Sequence, residues 1–179
     1  MKLIALDTET TGLYPSAHHI VELGLSTHTG KRRSYLMKPP IPIPAAVSAI
    51  HHIDDSMVAN CPTFAEVWAK VETRIQQADF IVGHNIAFDV RFISAEVLRA
   101  GLPRTRRPPS ICTMEISKAV YGRDVTHKLC DLAQRLELSS EGQSHRADAD
   151  ADLSMRCLLK MMELGLVEIT EDGWQVKSV

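Results

Sequence analysis

This chain has little cysteine, and the four it carries, Cys61, Cys112, Cys130 and Cys157, are too widely scattered to pair as a CxxC motif. That excludes a zinc ribbon, a thioredoxin-like couple and a disulfide framework, and leaves the cysteines to be read as small buried apolar residues in a reducing compartment. No apolar run approaches the ~20 residues of a membrane span, and the opening run breaks at Asp7, too early for a signal-peptide core. A cytoplasmic protein with no membrane attachment is expected. Nor does either charge sign dominate. Lys and Arg number 20 against 22 Asp and Glu, a formal net charge of -2, so a polyanionic partner would have to be met by a local basic patch or by bound cations.

What is present suffices for one core. With 179 residues, 45% of them hydrophobic, a single domain over 1–179 is expected. Lys2 to Asp7 is apolar on both faces, as a central strand covered by helices would be, and Ile20 to Leu25 and Ser34 to Met37 supply two more strands. The proline run Pro39 to Pro44 reads as an extended crossover. Thr63 and Glu66 have the spacing of a capping box, opening a helix to about Ala78; Phe80 to Val82 is a strand, and Asn85 is placed to cap a helix over Ile86 to Ala100 that Gly101 closes. A strand at Ser110 to Thr113, helices near Leu129 to Leu136 and Ala147 to Leu164, and a short tail over 167–179 complete a mixed α/β pattern.

Three acidic stretches are not explained by burial. The first is Leu6-Asp7-Thr8-Glu9-Thr10-Thr11-Gly12-Leu13. Strand side chains alternate, so Asp7 and Glu9 share a face about 7 Å apart and repel each other unless one is protonated or a cation lies between them. In the second, Gly83 to Phe92, Asp89 falls one helical turn past Asn85, within roughly 60° of Ile86, Ile93 and Val97, on the border of the apolar face. Glu96, two turns along, reads as a solvated carboxylate. The third is His145-Arg146-Ala147-Asp148-Ala149-Asp150-Ala151-Asp152. On a helix Asp150 lies within about 20° of Cys157 and Met161, while Asp148 and Asp152 face away and Asp152 can pair with Arg156. A charge in the apolar stripe needs a metal, a cationic partner or a raised pKa. Four carboxylates, Asp7, Glu9, Asp89 and Asp150, are thus available to one cleft. Hard oxygen ligands without cysteine suit Mg²⁺ or Mn²⁺, two ions clamping the attacking and leaving oxygens of a phosphodiester.

In order, Asp7-Thr8-Glu9-Thr10-Thr11-Gly12, Gly83-His84-Asn85-Ile86-Ala87-Phe88-Asp89 and His145 with Asp150 five positions later resemble the three motifs of the DnaQ-like 3'-5' exonucleases of the DEDDh subgroup. The likeness runs from Leu3 to about Leu164. It implies a ribonuclease H-like fold, a mixed five-stranded sheet with helices on both faces. It also implies two divalent metal ions, one held by Asp7, Glu9 and Asp150, the other by Asp7 with water and substrate, Asp89 acting by ligation or through water. His145 would take a proton from the attacking water. Thr10, Thr11, Gly12 and Leu13 would line the pocket of the terminal nucleotide, Leu13 wedging against its base, with His51 and Phe88 as further contacts.

The motif Asp-Thr-Glu-Thr-Thr-Gly resembles the bacterial polymerase III epsilon group more than the oligoribonucleases, so the expected substrate is the 3' end of single-stranded DNA, released as nucleoside 5'-monophosphates. The short tail leaves docking on a polymerase open. RNA trimming of the ribonuclease T kind, and a non-catalytic module that only grips 3' ends, are the alternatives. The two basic clusters are Lys31 to Arg33, read as a solvated turn, and Arg104 to Arg107, a candidate contact for backbone phosphates.

Overall fold

The computed structural model describes residues 1–139 and 145–177. Its elements, in order, are β1 (Leu3–Thr10), β2 (Ile20–Thr27), β3 (Arg32–Leu36), α1 (Ala45–His51), α2 (Asp55–Val58), α3 (Phe64–Gln76), β4 (Phe80–Gly83), α4 (Ile86–Arg99), β5 (Ser110–Cys112), α5 (Thr113–Tyr121), α6 (Leu129–Arg135), α7 (Ala147–Glu163), β6 (Val167–Thr170) and β7 (Gly173–Val176). The first five strands form one sheet in the order β3-β2-β1-β4-β5. Strands β2 and β3 run antiparallel to their neighbours, while β1, β4 and β5 are mutually parallel, so the sheet is mixed.

β1 is central, which is why its first residues are apolar on both faces. Its pleat sends Ile4 and Leu6 into a core with α3 and α4, and Leu3 and Ala5 into a second core with α6 and α7. The strand does not stop at Asp7. It continues to Thr10 because β2 supplies ladder partners for the polar residues too, pairing Thr8 with Leu23 and Glu9 with Glu22.

The capping box of α3 is as expected: Glu66 N donates to Thr63 Oγ1 (3.4 Å) and Thr63 N to Glu66 Oε2 (2.7 Å). Asn85 departs from expectation. It takes a left-handed conformation (φ 64°) with no side-chain cap bond, making the sharp turn from β4 into α4 that asparagine tolerates better than most residues. The expected tail is instead the hairpin β6–β7, whose Val167 and Trp174 pack on the α6–α7 core. Residues 178–179 of that tail lie outside the described residues. Of the cysteines only Cys157 is buried; Cys61 and Cys112 are half-buried, Cys130 is exposed, and none is in a disulfide.

The alternation Ala-Asp-Ala-Asp-Ala-Asp opening α7 has a packing cause. Ala147, Ala149 and Ala151 are buried against the sheet, and a Cβ on Gly24 would lie 2.0 Å from the Ala147 carbonyl carbon. Small residues on both sides let the helix N-terminus lie almost on β2, and this sets the position of Asp150.

Candidate active site

Asp7 and Glu9 project from β1 toward α7, continuing the face of Leu3 and Ala5. Asp150, in the first turn of α7, meets them there: one carboxylate oxygen from each of Asp7, Glu9 and Asp150 lies within 4.8 Å of the others. Asp89 comes from the opposite face of β1. It is 2% exposed, and its Oδ1 accepts a hydrogen bond from Thr8 Oγ1 at 2.7 Å. Three of the four expected carboxylates therefore form one group, and the fourth stands beside it, fixed by a strand hydroxyl.

The electrostatics are those of uncompensated charge. Burial, then repulsion from Asp89, Asp150, Glu9 and Glu22, pushes the Asp7 carboxyl well above its ordinary range. Burial, then Asp150, Glu22 and Asp89, raises Glu9 to about 8, with Arg146 pulling weakly the other way. Asp89 rises to about 7 through burial, against the bond from Thr8. A divalent cation relieves this kind of frustration, and three hard oxygens with no thiolate or imidazole among them fit Mg²⁺ or Mn²⁺.

His145 is exposed at the end of α7, in a left-handed backbone conformation (φ 48°) that is uncommon outside glycine. The next residue anchors it. Arg146 donates from Nε (3.0 Å) and Nη2 (2.6 Å) to Glu22 Oε1, and Ala147 N donates to Glu22 Oε2 (3.0 Å). Glu22 is 0% exposed. Burial alone would raise its pKa, but the bonds from Arg146, Ser34 and the Ala147 N–H outweigh it and hold the carboxyl below the ordinary glutamate value. Sequence reasoning missed Glu22. The available signal was a lone charge inside the apolar run Ile20-Val21-Glu22-Leu23.

The loop after β1 is built around its own polar groups. Thr10 Oγ1 donates to Gly12 O (2.7 Å), Thr11 N to His19 O (2.8 Å), and His19 N to Thr11 Oγ1 (3.0 Å). Gly12 faces the His18 ring so closely that a Cβ there would lie 2.4 Å from it. Leu13 projects from this braced loop, 70% exposed. Phe88 is half-buried and tilts against Phe92 at 4.8 Å. His51 is buried, with Nδ1 accepting from Ile53 N (3.1 Å); burial lowers its pKa, while the Thr10 backbone works the other way.

Two readings need correction. Glu96 is not solvated: it is 6% exposed, accepting from His19 Nδ1 (3.0 Å) and Ile20 N (3.2 Å) and pairing with Arg99 (2.9 Å). Asp152 does not meet Arg156; it accepts from Ser26 Oγ at 2.9 Å, because the close seat of α7 brings it to the sheet. Arg104 to Arg107 lead into the amino-terminal end of β5, while Asp7 and Glu9 lie toward the carboxyl-terminal end of β1, in the same mixed sheet. Of the other basic cluster, Arg32 pairs with Asp148 (2.9 Å). Among the described residues no helix is long and apolar enough to cross a membrane.

Comparison with known proteins gives this geometry a family. The RNase_T family model, described as Exonuclease, matches residues 4–158. A DNA polymerase III subunit epsilon of Treponema pallidum is 35% identical over 166 residues, covering 88% of this chain and 75% of that protein. A DNA polymerase III subunit epsilon-like protein of Rhodobacter capsulatus is 31% identical over 90% of this chain, which spans only 24% of that relative. Among solved structures, Exonuclease X in complex with 5' overhanging duplex DNA superposes with a TM-score of 0.71 at 26% identity, covering 90% of this chain and 92% of that one. The nuclease domain of 3'hExo, a DEDDh family member bound to rAMP, gives 0.75 at 18% identity over 92% of each chain and shares the fold. The mixed sheet is thus ribonuclease H-like, and the chain belongs to the RNase_T exonuclease family, in its DnaQ-like, 3'-5' exonuclease branch.

Proposed function

We propose that this protein shortens single-stranded DNA from its 3' end, releasing nucleoside 5'-monophosphates. The observation that carries the reading is the group Asp7, Glu9 and Asp150, with ligand oxygens within 4.8 Å, in which burial and the neighbouring acids push the Asp7 and Glu9 carboxyls up. Those three residues would hold divalent cations. Bound there, Mg²⁺ or Mn²⁺ would supply positive charge at a phosphodiester under attack.

Each residue then has a task. Asp89, held by Thr8, completes the acidic wall. His145, exposed and anchored through Arg146 and Glu22, accepts a proton from the attacking water as general base. Backbone donors near Gly12 receive the terminal 3'-hydroxyl, Leu13 rests against the terminal base, and His51 and Phe88 border the same pocket. Deoxyribose is favoured because relatives 31% and 35% identical to this chain are named as polymerase III epsilon proteins and Exonuclease X was solved with duplex DNA.

The test is a time course of 5'-labelled single-stranded DNA and matched RNA with Mg²⁺, Mn²⁺ or EDTA, for the wild type and Asp7→Ala. The expected result is a ladder shrinking from the 3' end of DNA, abolished by EDTA and by the substitution. A faster ladder on RNA would transfer the assignment to RNA trimming. Binding with Mn²⁺ but no shortening of either polymer would make the protein a 3'-end-binding module.

A further inference from the structure

Arg104, Arg106 and Arg107 are not scattered over featureless surface. The segment 104–109 enters the amino-terminal end of β5, where Ile81 N donates to Pro109 O (3.0 Å), and flanks a groove of about 310 Å³ between α3 and α4. The floor is apolar: Trp68 and Ile75 from α3, Ile93 and Val97 from α4, each nine-tenths or more buried. The indole N–H of Trp68 has no acceptor among the described residues. The rim carries the three arginines, all exposed, and no carboxylate pairs with any of them among the described residues. Thr105, between them, donates to Glu72 Oε1 at 2.6 Å and pins the segment to α3.

A second depression, of about 600 Å³, adjoins the first and shares Gln76 and Arg106 with it. It runs on past Asp79, Pro109 and Glu171, and its cations are Arg106 and the Met1 amino terminus. The three arginines thus stand at one end of the combined surface, and at the other Asp79 and Glu171 exceed the Met1 amino terminus by one charge. A nucleic-acid backbone running along it would meet Asp79 and Glu171 after leaving the arginines, so the charge pattern opposes a uniform polyanion. An extended peptide can match both ends, and three exposed guanidiniums beside an apolar slot suit carboxylates flanking an apolar anchor.

We propose that this face docks an extended segment of a partner protein, with an apolar side chain seated over Trp68 and Ile93 and acidic residues beside it on Arg104, Arg106 and Arg107. The groove opens beside the amino-terminal end of β5, and Asp7 and Glu9 lie toward the carboxyl-terminal end of β1, so the docked partner acts as a tether and not as the substrate. This inference does not depend on which polymer the carboxylate site cuts.

The test selects binders from a random peptide library on the immobilised full chain and measures them against two variants at exposed positions. One is the charge reversal Arg104→Glu with Arg106→Glu and Arg107→Glu; the other, Ser94→Trp, fills the groove without changing charge. Thermal melts confirm that both fold. The expected result is that selected peptides combine apolar and acidic residues and lose at least roughly tenfold in affinity for both variants, while oligothymidylate binding is unchanged. Selection of basic peptides, or of peptides indifferent to both variants, overturns the proposal. So does a matching loss of oligothymidylate binding on charge reversal, which would hand the arginines to nucleic acid.

Discussion

Glu9 and Glu22 face each other in register across β1 and β2, on the same side of the same sheet, and meet opposite fates. Glu22 is the more deeply buried, yet Arg146, Ser34 and the Ala147 N–H surround it, and its carboxyl stays ionised. Glu9 is partly open, yet burial and the neighbouring acids raise it to about 8. Depth therefore does not decide what a carboxylate does; supply of partners does. A carboxylate whose bonds are complete within the chain fixes structure, and one whose bonds are missing waits for a cation.

The sharpest way to break that contrast is to neutralise one side at a time. Asp7→Asn keeps the shape and removes a ligand, so exonuclease activity on single-stranded DNA should fall at least about 10³-fold, while the metal-free protein keeps or gains thermal stability because a repulsion is gone. A mutant that loses activity only in proportion to lost folding would make Asp7 structural. His145→Ala should lower kcat by about 10²–10⁴ with little change in melting temperature, since the side chain is exposed.

On the other side of the pair, Arg146→Met removes the cation and keeps much of the apolar stem. Glu22 is then buried without its partner, as Glu9 is, and the fold should lose roughly 3 kcal/mol at neutral pH, read by urea denaturation. A loss under about 0.5 kcal/mol, the size seen for exposed ion pairs, would show that Ser34 and the Ala147 N–H satisfy Glu22 without the arginine.

These tests also mark what the sequence made legible. Asp7 and Glu9 could be read from strand alternation and Asp150 from its angle on a helix, since each needs only the local period of its own element. Glu22 and Glu96 could not. Glu22 depends on Arg146, |i−j| = 124, and Glu96 on His19, |i−j| = 77; no periodicity reports partners at such separations. The β6–β7 hairpin was passed over as a tail although Glu171-Asp172-Gly173 stands between two alternating runs, an Asp-Gly turn signal of the usual kind. Asn85 had the right identity for a cap and the wrong backbone, because the tight β4–α4 turn took precedence.

A pH series sharpens the comparison further. Glu9 titrates near 4.5 when unfolded and at about 8 when folded, so between those values the folded chain holds a proton that the unfolded chain has released. Stability of the metal-free protein therefore falls as pH rises through this window. A divalent cation replaces that proton, so the melting temperature gained from Mn²⁺ should be small at pH 6 and reach about 5 °C or more at pH 8. An equal gain at both values would detach metal binding from these carboxyls.

The smallest effect belongs to Thr8, whose hydroxyl, on the α4 face of β1, donates to Asp89. That bond favours the ionised acid, opposing the burial that raises Asp89 to about 7. Thr8→Val keeps the strand shape and deletes the donor, so it should cost about 1 kcal/mol in urea denaturation at pH 8.5, where Asp89 is charged. At pH 6 the acid holds its own proton, the bond matters less, and the cost should shrink. The activity optimum should move to higher pH in the same variant, because Asp89 now ionises later. If the cost were the same at both pH values, Thr8 would be a packing residue, and Asp89 would owe its place to α4 alone.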